Sequence, residues 1–240
     1  MNTRPMRPHG RWRQGDGRPE SLLCLLATQP ELRAGMADPA CWLGAAEQAR
    51  LATLSTEARQ HSFLAGRWLA RLAVQRWCGI DRLPTLEVAD SGACHVVSEG
   101  EVFVSISHSG DHVACAVAEL PVGVDVESPG RPRDYLALAQ AVHCDAQQER
   151  LARLAPTSRA RCFLQDWTLK EAWLKAREQQ VDFALMRTLE FDNDPCGDSA
   201  VTHIGELILA VAANPALPPV IDGLPRANWR RCQSRRSAVA

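Results

Sequence analysis

Two stretches decide the fold: R-L-A-T-L-S-T-E-A-R-Q-H-S-F-L-A-G-R-W-L-A at residues 50–70, and R-L-A-R-L-A-P-T-S-R-A-R-C-F-L-Q-D-W-T-L-K at residues 150–170. Arg50, Leu51, Ala52, Leu54, Arg59, Phe63, Leu64 and Leu69 recur as Arg150, Leu151, Ala152, Leu154, Arg159, Phe163, Leu164 and Leu169, eight identities in 21 positions at an offset of 100. Chance in an Ala-, Leu- and Arg-rich chain gives about two, so the echo reads as a degenerate tandem duplication. Two unrelated amphipathic helices of similar composition are the alternative. Each copy reads as a short helix, a break and a long helix: Ala45 to Leu54 then Glu57 to Trp77, and Ala146 to Leu154 then Ser158 to Arg177. Pro156 marks the second break, and Ser55 and Ser158 are candidate caps. Phe63, Gly66, Ala70 and Ala73 in one copy, and Phe163, Trp167 and Leu174 in the other, fall on one helical face.

Strand-like runs surround these helices. Ser21 to Thr28 reads as a first strand behind a basic tail rather than as a signal segment, because Gln29-Pro30-Glu31 follows it instead of a small-residue cleavage site. Val102 to Ile106, His112 to Glu119, Val122 to Glu127, Thr188 to Phe191 and Leu207 to Ala212 follow, the first two joined by the turn triplet Ser109-Gly110-Asp111. Strands around helices in each half predict an α+β chain. The expected division is a tail over 1–20, an N-terminal half over 21–120, a C-terminal half over 121–225, and a tail over 226–240 holding Arg230, Arg231, Arg235 and Arg236.

Composition narrows the function. The 240 residues carry 27 Lys+Arg against 28 Asp+Glu, a net charge of −1. That balance argues against nucleic-acid binding, which needs a basic face. Apolar residues at 46% and charged residues at 23% can fill a core, and no apolar run is long enough for a membrane helix. Nine scattered cysteines without a C-x-x-C pair read as reduced thiols in a cytoplasmic protein.

Three motifs could carry chemistry. In G-V-D-V-E, Gly123 to Glu127, the strand period puts Asp125 and Glu127 on one face, where two carboxylates suit a hard cation such as Mg²⁺. Read alone, the pair is equally a solvated strand face. In W-T-L-K-E-A-W-L-K, Trp167 to Lys175, Glu171 and Lys175 stand one helical turn apart and are by themselves an ordinary surface pair. In S-I-S-H-S-G, Ser105 to Gly110, three hydroxyls, His108 and a glycine suggest an anion cradle, or simply a polar turn.

Together the three motifs resemble the 4′-phosphopantetheinyl transferases of the surfactin-synthetase (Sfp) type. Their order is that of the family, and Asp125 to Trp167 spans 42 residues. The resemblance implies a pseudo-dimer of two similar α+β halves with the active site between them. It implies transfer of 4′-phosphopantetheine from coenzyme A to a serine of an acyl or peptidyl carrier protein, with release of 3′,5′-ADP. Asp125, Glu127 and Glu171 would bind Mg²⁺, and Glu171 would also be the general base. Lys170 and Lys175 would contact phosphate or the leaving group, His108 the 3′-phosphate, and Ser107 the adenine. Arg67, with Arg59 and Arg71, would reach coenzyme A phosphates from the first copy. A monomer is implied, since one chain supplies both halves.

Two departures stand out. Where the family carries a G-K-P-like triplet, this chain has Ser91-Gly92-Ala93-Cys94-His95, without lysine or proline. The stretch Ala176 to Val181 lacks the glycines that often follow the last lysine. Two rivals follow: a Mg²⁺-dependent phosphodiesterase or nucleotide hydrolase, and a catalytically silent relative that only binds carrier proteins. The first lacks a second carboxylate-rich motif, and the intact Asp125, Glu127 and Glu171 argue against the second.

Overall fold

Alternating small and branched residues let the central strands bury both faces, and that is what joins two sheets into one body. The computed structural model describes residues 20–88, 94–97, 102–130 and 132–236. The first half runs β1 (Ser21–Thr28), α1 (Gln29–Ala34), α2 (Ala45–Ala52), α3 (Glu57–Cys78), β2 (Thr85–Val88), β3 (Cys94–Val97), β4 (Phe103–Ser109) and β5 (His112–Ala118). The second runs β6 (Val122–Glu127), α4 (Tyr135–Val142), α5 (Asp145–Arg153), α6 (Pro156–Lys175), α7 (Phe183–Thr188), β7 (Leu189–Asn193), β8 (Ser199–Ile204) and β9 (Leu207–Ala213), followed by β10 (Val220–Asp222) and β11 (Arg230–Arg236).

The sheet orders are β10-β1-β5-β4-β3-β2 and β6-β9-β8-β11-β7. One plan recurs in both. The opening strand, β1 or β6, pairs antiparallel with the second strand of a hairpin, β5 or β9, whose first strand is β4 or β8. In β5, Val113, Cys115 and Val117 face the core under α3, while Ala114, Ala116 and Ala118 face the other way. In β9, Ile208, Ala210 and Ala212 face the core under α6, while Leu207, Leu209 and Val211 join the alanines of β5. The third core, between the sheets, thus sets the alanines of β5 against the leucines and valine of β9.

The helical corners repeat as well. Gln48 Nε2 donates to Leu43 O at 3.0 Å, and Gln148 Nε2 to His143 O at 2.8 Å. The Gly44 N–H is taken by Glu47, and the Cys144 N–H by Gln147. These are the same bonds at an offset of 100, made by residues outside the identities that revealed the echo.

Several expectations need correction. Thr56, not Ser55, caps α3, accepting from the Arg59 N–H, and α6 starts at Pro156 itself after Ala155, with no side-chain cap. Proline suits the first helical turn because its missing N–H would be unpaired there anyway. The arginine-rich segment expected as a tail includes β11, which inserts between β7 and β8. β10, expected in the second half, pairs parallel with β1 of the first sheet. Residues 1–19 of the expected tail, residues 91–93 of the Ser91-Gly92-Ala93-Cys94-His95 stretch, and residues 237–240 lie outside the described residues.

Candidate active site

The site begins with a missing side chain. A Cβ on Gly123 would stand 1.9 Å from Ala172 O and 2.6 Å from Ala176 N, so only glycine lets α6 lie directly across β6. That contact brings the two acidic motifs together. Lys175 Nζ donates to Asp125 Oδ1 at 2.7 Å and to Val124 O at 3.2 Å. Asp125 is buried, and among the described residues its Oδ2 has no hydrogen-bond partner. The Glu127 carboxyl is held above the usual carboxylate range by burial and then by Asp125, with bonds from Ser109 and Trp167 pulling the other way. Glu171 is likewise raised, by burial first, then Asp125, and more weakly by Glu127, against the opposing pull of Lys175. The three carboxylates therefore feel one another.

The serines do something other than cradle an anion. β4 and β6 belong to different sheets and share no backbone ladder. Instead Ser105, Ser107 and Ser109 Oγ accept the N–H groups of Val124, Val126 and Ser128 at 3.0, 3.3 and 3.2 Å. Ser107 Oγ donates in turn to Asp125 Oδ1 at 2.7 Å, and Ser109 Oγ to Glu127 Oε2 at 3.0 Å. The alternation of β4 gives the hydroxyls the same spacing as the amides they meet. Ser107 thus serves the sheet junction and Asp125, on the face of β4 opposite His108, and it does not line the neighbouring cavity.

A cavity of about 500 Å³ opens beside the carboxylates. Gly66, Arg67, His95 and His108 form part of one wall, and Glu171 and Lys175 part of the other. Arg67 is held by Glu47, Cys94 and the Phe63 ring. Arg59, exposed in the first turn of α3, does not line the cavity.

Two expected contacts are corrected. Arg71 is fully buried, donating to both oxygens of Glu47 at 3.2 and 2.5 Å, with its guanidinium 4.8 Å from the Trp42 ring. Lys170 is also fully buried, donating to Val142 O and Gln147 Oε1, both at 2.7 Å, beside His143 Nδ1 at 3.2 Å. Adjacent helical residues point about 100° apart, so Lys170 faces α4 and α5 while Glu171 faces the cavity. Burial lowers Lys170 to about 8 and His143 to about 3. Arg71 therefore matches Lys170, not Glu171, in its role.

Sequence reasoning missed His95, Cys94 and the wall formed by Glu178, Gln179, Gln180 and Val181. The departures from the family pattern were the signal. Glu178 has φ 52, a left-handed conformation that glycine favours, in the stretch where glycine was missed.

Among the described residues, no three His, Cys, Asp or Glu side chains form a group that could hold a metal ion by themselves. The donor set still fits a hard cation. Its ligands are all oxygens, Asp125 Oδ2 lacks a partner among the described residues, and the carboxyls of Glu127 and Glu171 are raised by burial first and by Asp125 second. Mg²⁺ commonly takes only one or two carboxylates and completes its shell with water and substrate phosphate. Among the described residues, no helix is long and apolar enough to cross a membrane.

Comparison with known proteins converges on the same region. Residues 121–214 match the model of the 4′-phosphopantetheinyl transferase superfamily, and residues 46–118 that of the 4′-phosphopantetheinyl transferase N-terminal domain. A 4′-phosphopantetheinyl transferase of Bacillus subtilis is 27% identical over 148 residues, 55% of this chain and 64% of the relative. The 4′-phosphopantetheinyl transferase AcpT of Salmonella typhimurium is 32% identical over 121 residues, 50% of this chain and 59% of the relative. A holo-[acyl-carrier-protein] synthase of Streptococcus thermophilus is 44% identical over 80 residues, 30% of this chain and 66% of the relative. The chain thus covers about six-tenths of the length of the relatives it matches.

Proposed function

The chain belongs to the 4′-phosphopantetheinyl transferase superfamily, and from this we propose that it moves 4′-phosphopantetheine from coenzyme A to a serine of an acyl or peptidyl carrier protein. The observation that carries the reading is the meeting of two distant motifs: Lys175 on Asp125 at 2.7 Å, with Glu171 beside them on the cavity wall. In this reading the two halves form a pseudo-dimer, and the cavity between α3 and α6 takes the coenzyme.

The serine Oγ attacks the phosphorus that bears pantetheine and forms a new P–O bond. The bond from that phosphorus to the bridging oxygen breaks, and 3′,5′-ADP leaves with the electron pair. Glu171 accepts the serine proton, its raised carboxyl being better matched to that task than an ordinary one. Lys175 meets negative charge on the phosphates, and Arg67 and His108 hold the nucleotide end. Asp125, with Glu127 or Glu171, would hold Mg²⁺, which when bound neutralises charge on the pyrophosphate. Nine cysteines held as thiols suit a reducing, cytoplasmic setting, and both walls of the cavity come from one chain, which suits a monomer.

Incubation with an apo carrier protein, coenzyme A and Mg²⁺, followed by intact-mass measurement, tests the reading. The expected result is a gain of one phosphopantetheine on the carrier. An unchanged carrier mass across acyl and peptidyl carriers would refute it, and a stable dimer in light scattering would refute the monomer.

A further inference from the structure

We infer that Glu47 and Cys94 are positioning residues, which set the guanidinium of Arg67 in place for the anionic coenzyme. This rests on the proposed function and adds two residues to it. Arg67 Nε lies 3.7 Å from Glu47 Oε1, its NH1 donates to Cys94 Sγ at 3.0 Å, and its Cζ sits 5.3 Å from the Phe63 ring centroid. Three separate elements thus constrain a side chain that would otherwise sample many rotamers. An arginine fixed during folding loses little further freedom on binding, and so binds more tightly.

A carboxylate beside an anion-binding arginine would normally weaken it, and the charge count shows why Glu47 does not. Glu47 is buried and serves two arginines, Arg67 and Arg71. Two positive charges against one negative leave one positive charge in excess. Arg71 takes both carboxylate oxygens and is fully buried, whereas Arg67 lines the cavity, so the excess is presented there. Glu47 is itself fixed, its Oε2 accepting the Gly44 N–H at 3.0 Å. Burial holds the Cys94 thiol above its ordinary range, so its sulfur meets Arg67 as a neutral acceptor that leaves the positive charge intact.

The second half carries glutamine at the equivalent place of its own corner. Gln147 makes the corresponding cap and holds the buried cation of its own corner. Glu47→Gln is therefore a shape-preserving test, and Cys94→Ala tests the other contact without touching the Glu47–Arg71 pair.

Coenzyme A affinity would be measured by calorimetry for the intact protein, for Arg67→Ala, Glu47→Gln, Cys94→Ala and Cys94→Ser, and for each of these last three combined with Arg67→Ala. Glu47→Gln and Cys94→Ala should each weaken binding about tenfold alone and leave it unchanged once Arg67 is alanine. Cys94→Ser, which keeps an acceptor, should stay within about twofold of the parent. Equal losses with and without Arg67 would show that the two residues merely support the fold, and would overturn the inference. Should Glu47→Gln not fold, the Cys94 series decides by the same criterion. If the parent binds coenzyme A but Arg67→Ala binds equally well, this inference falls and the proposed function stands. If the parent does not bind coenzyme A, the proposed function falls with it.

Discussion

The corner of α2 and α3 and the corner of α5 and α6 are built alike and used differently. In both, the third residue of the short helix, Glu47 or Gln147, caps its own helix and takes a buried cation from the long helix, Arg71 or Lys170. In the first corner the acceptor is charged, and its surplus cation, Arg67, opens onto the cavity. In the second the acceptors of Lys170 are neutral, and the corner's own carboxylate, Asp166, is paired with Arg150. The functional groups there, Glu171 and Lys175, lie on another face of the same helix, toward the cavity. The lesson is that the corner is scaffold in both halves, and chemistry was added on whichever helical face meets the cavity.

The sharpest test of that division is Glu171→Gln. Transfer should fall by about 10²–10⁴-fold, the usual worth of a positioned general base, read by carrier mass against time. Stability should not fall with it. The Glu171 carboxyl is raised in the folded protein, by burial first and then by Asp125, so the fold holds this proton more tightly than the unfolded chain does. Its contribution to stability is then fully present below the unfolded pKa and is lost as pH rises through the higher, folded one. At pH 7 the glutamine variant should melt at or above the parent temperature, with the difference shrinking toward pH 4. A variant that melts lower at pH 7 would place Glu171 in the scaffold.

Glycines give the next contrast. Gly123→Ala sets a Cβ 1.9 Å from backbone, so α6 must move off β6. We expect a loss of at least about 2 kcal/mol and a larger loss of transfer, because Lys175 and Glu171 move with the helix. Gly66→Ala meets only Ile106 Cγ2 at 3.1 Å, and the gain of about 1 kcal/mol from alanine in a helix offsets the crowding. Denaturant unfolding of both would break the comparison if the two cost the same.

Arg71→Met and Lys170→Met compare the corners directly. Removing Arg71 leaves the buried Glu47 carboxylate short of its main partner, a loss of about 3–5 kcal/mol. Removing Lys170 leaves only neutral acceptors unmet and also removes a buried ammonium, so about 1–3 kcal/mol is expected. The reverse order would mean that the charged corner is not the more tightly coupled one.

Much of this was legible in the sequence. The 100-residue echo located both corners and both long helices, and the period-two rule put Asp125 and Glu127 on one face. The family resemblance, by contrast, put Lys170 and Arg71 at phosphates, and both are fully buried away from the cavity. A motif gives residue types and spacing, but only the rotation of α6 about its axis says which of two adjacent residues, Lys170 or Glu171, faces the cavity. β11 was missed for a physical reason as well. R-R-C-Q-S-R-R lacks the apolar alternation of a strand, since of its seven side chains only Cys232 is buried, and its place is secured by pairing on both edges.

The smallest effects lie in the serine junction, where one strand makes the same backbone contact three times. Among the described residues, Ser105 Oγ only accepts the Val124 N–H, whereas Ser107 Oγ accepts the Val126 N–H and also donates to Asp125. Ser105→Ala should cost about 1 kcal/mol, the value of one buried amide left without its acceptor, and leave transfer nearly unchanged. Ser107→Ala should cost a similar amount through Val126 and, in addition, free Asp125 Oδ1 of one of its two donors. With Lys175 as the remaining partner, the carboxylate can turn, and transfer should fall about threefold to tenfold at subsaturating Mg²⁺ and less at high Mg²⁺. Ser107→Thr, which keeps the hydroxyl, should recover most of that loss. If alanine at 105 and at 107 gave the same kinetics at all Mg²⁺ concentrations, Ser107 would be a fastener like its neighbour, and the link between the sheet junction and the carboxylates would be structural only.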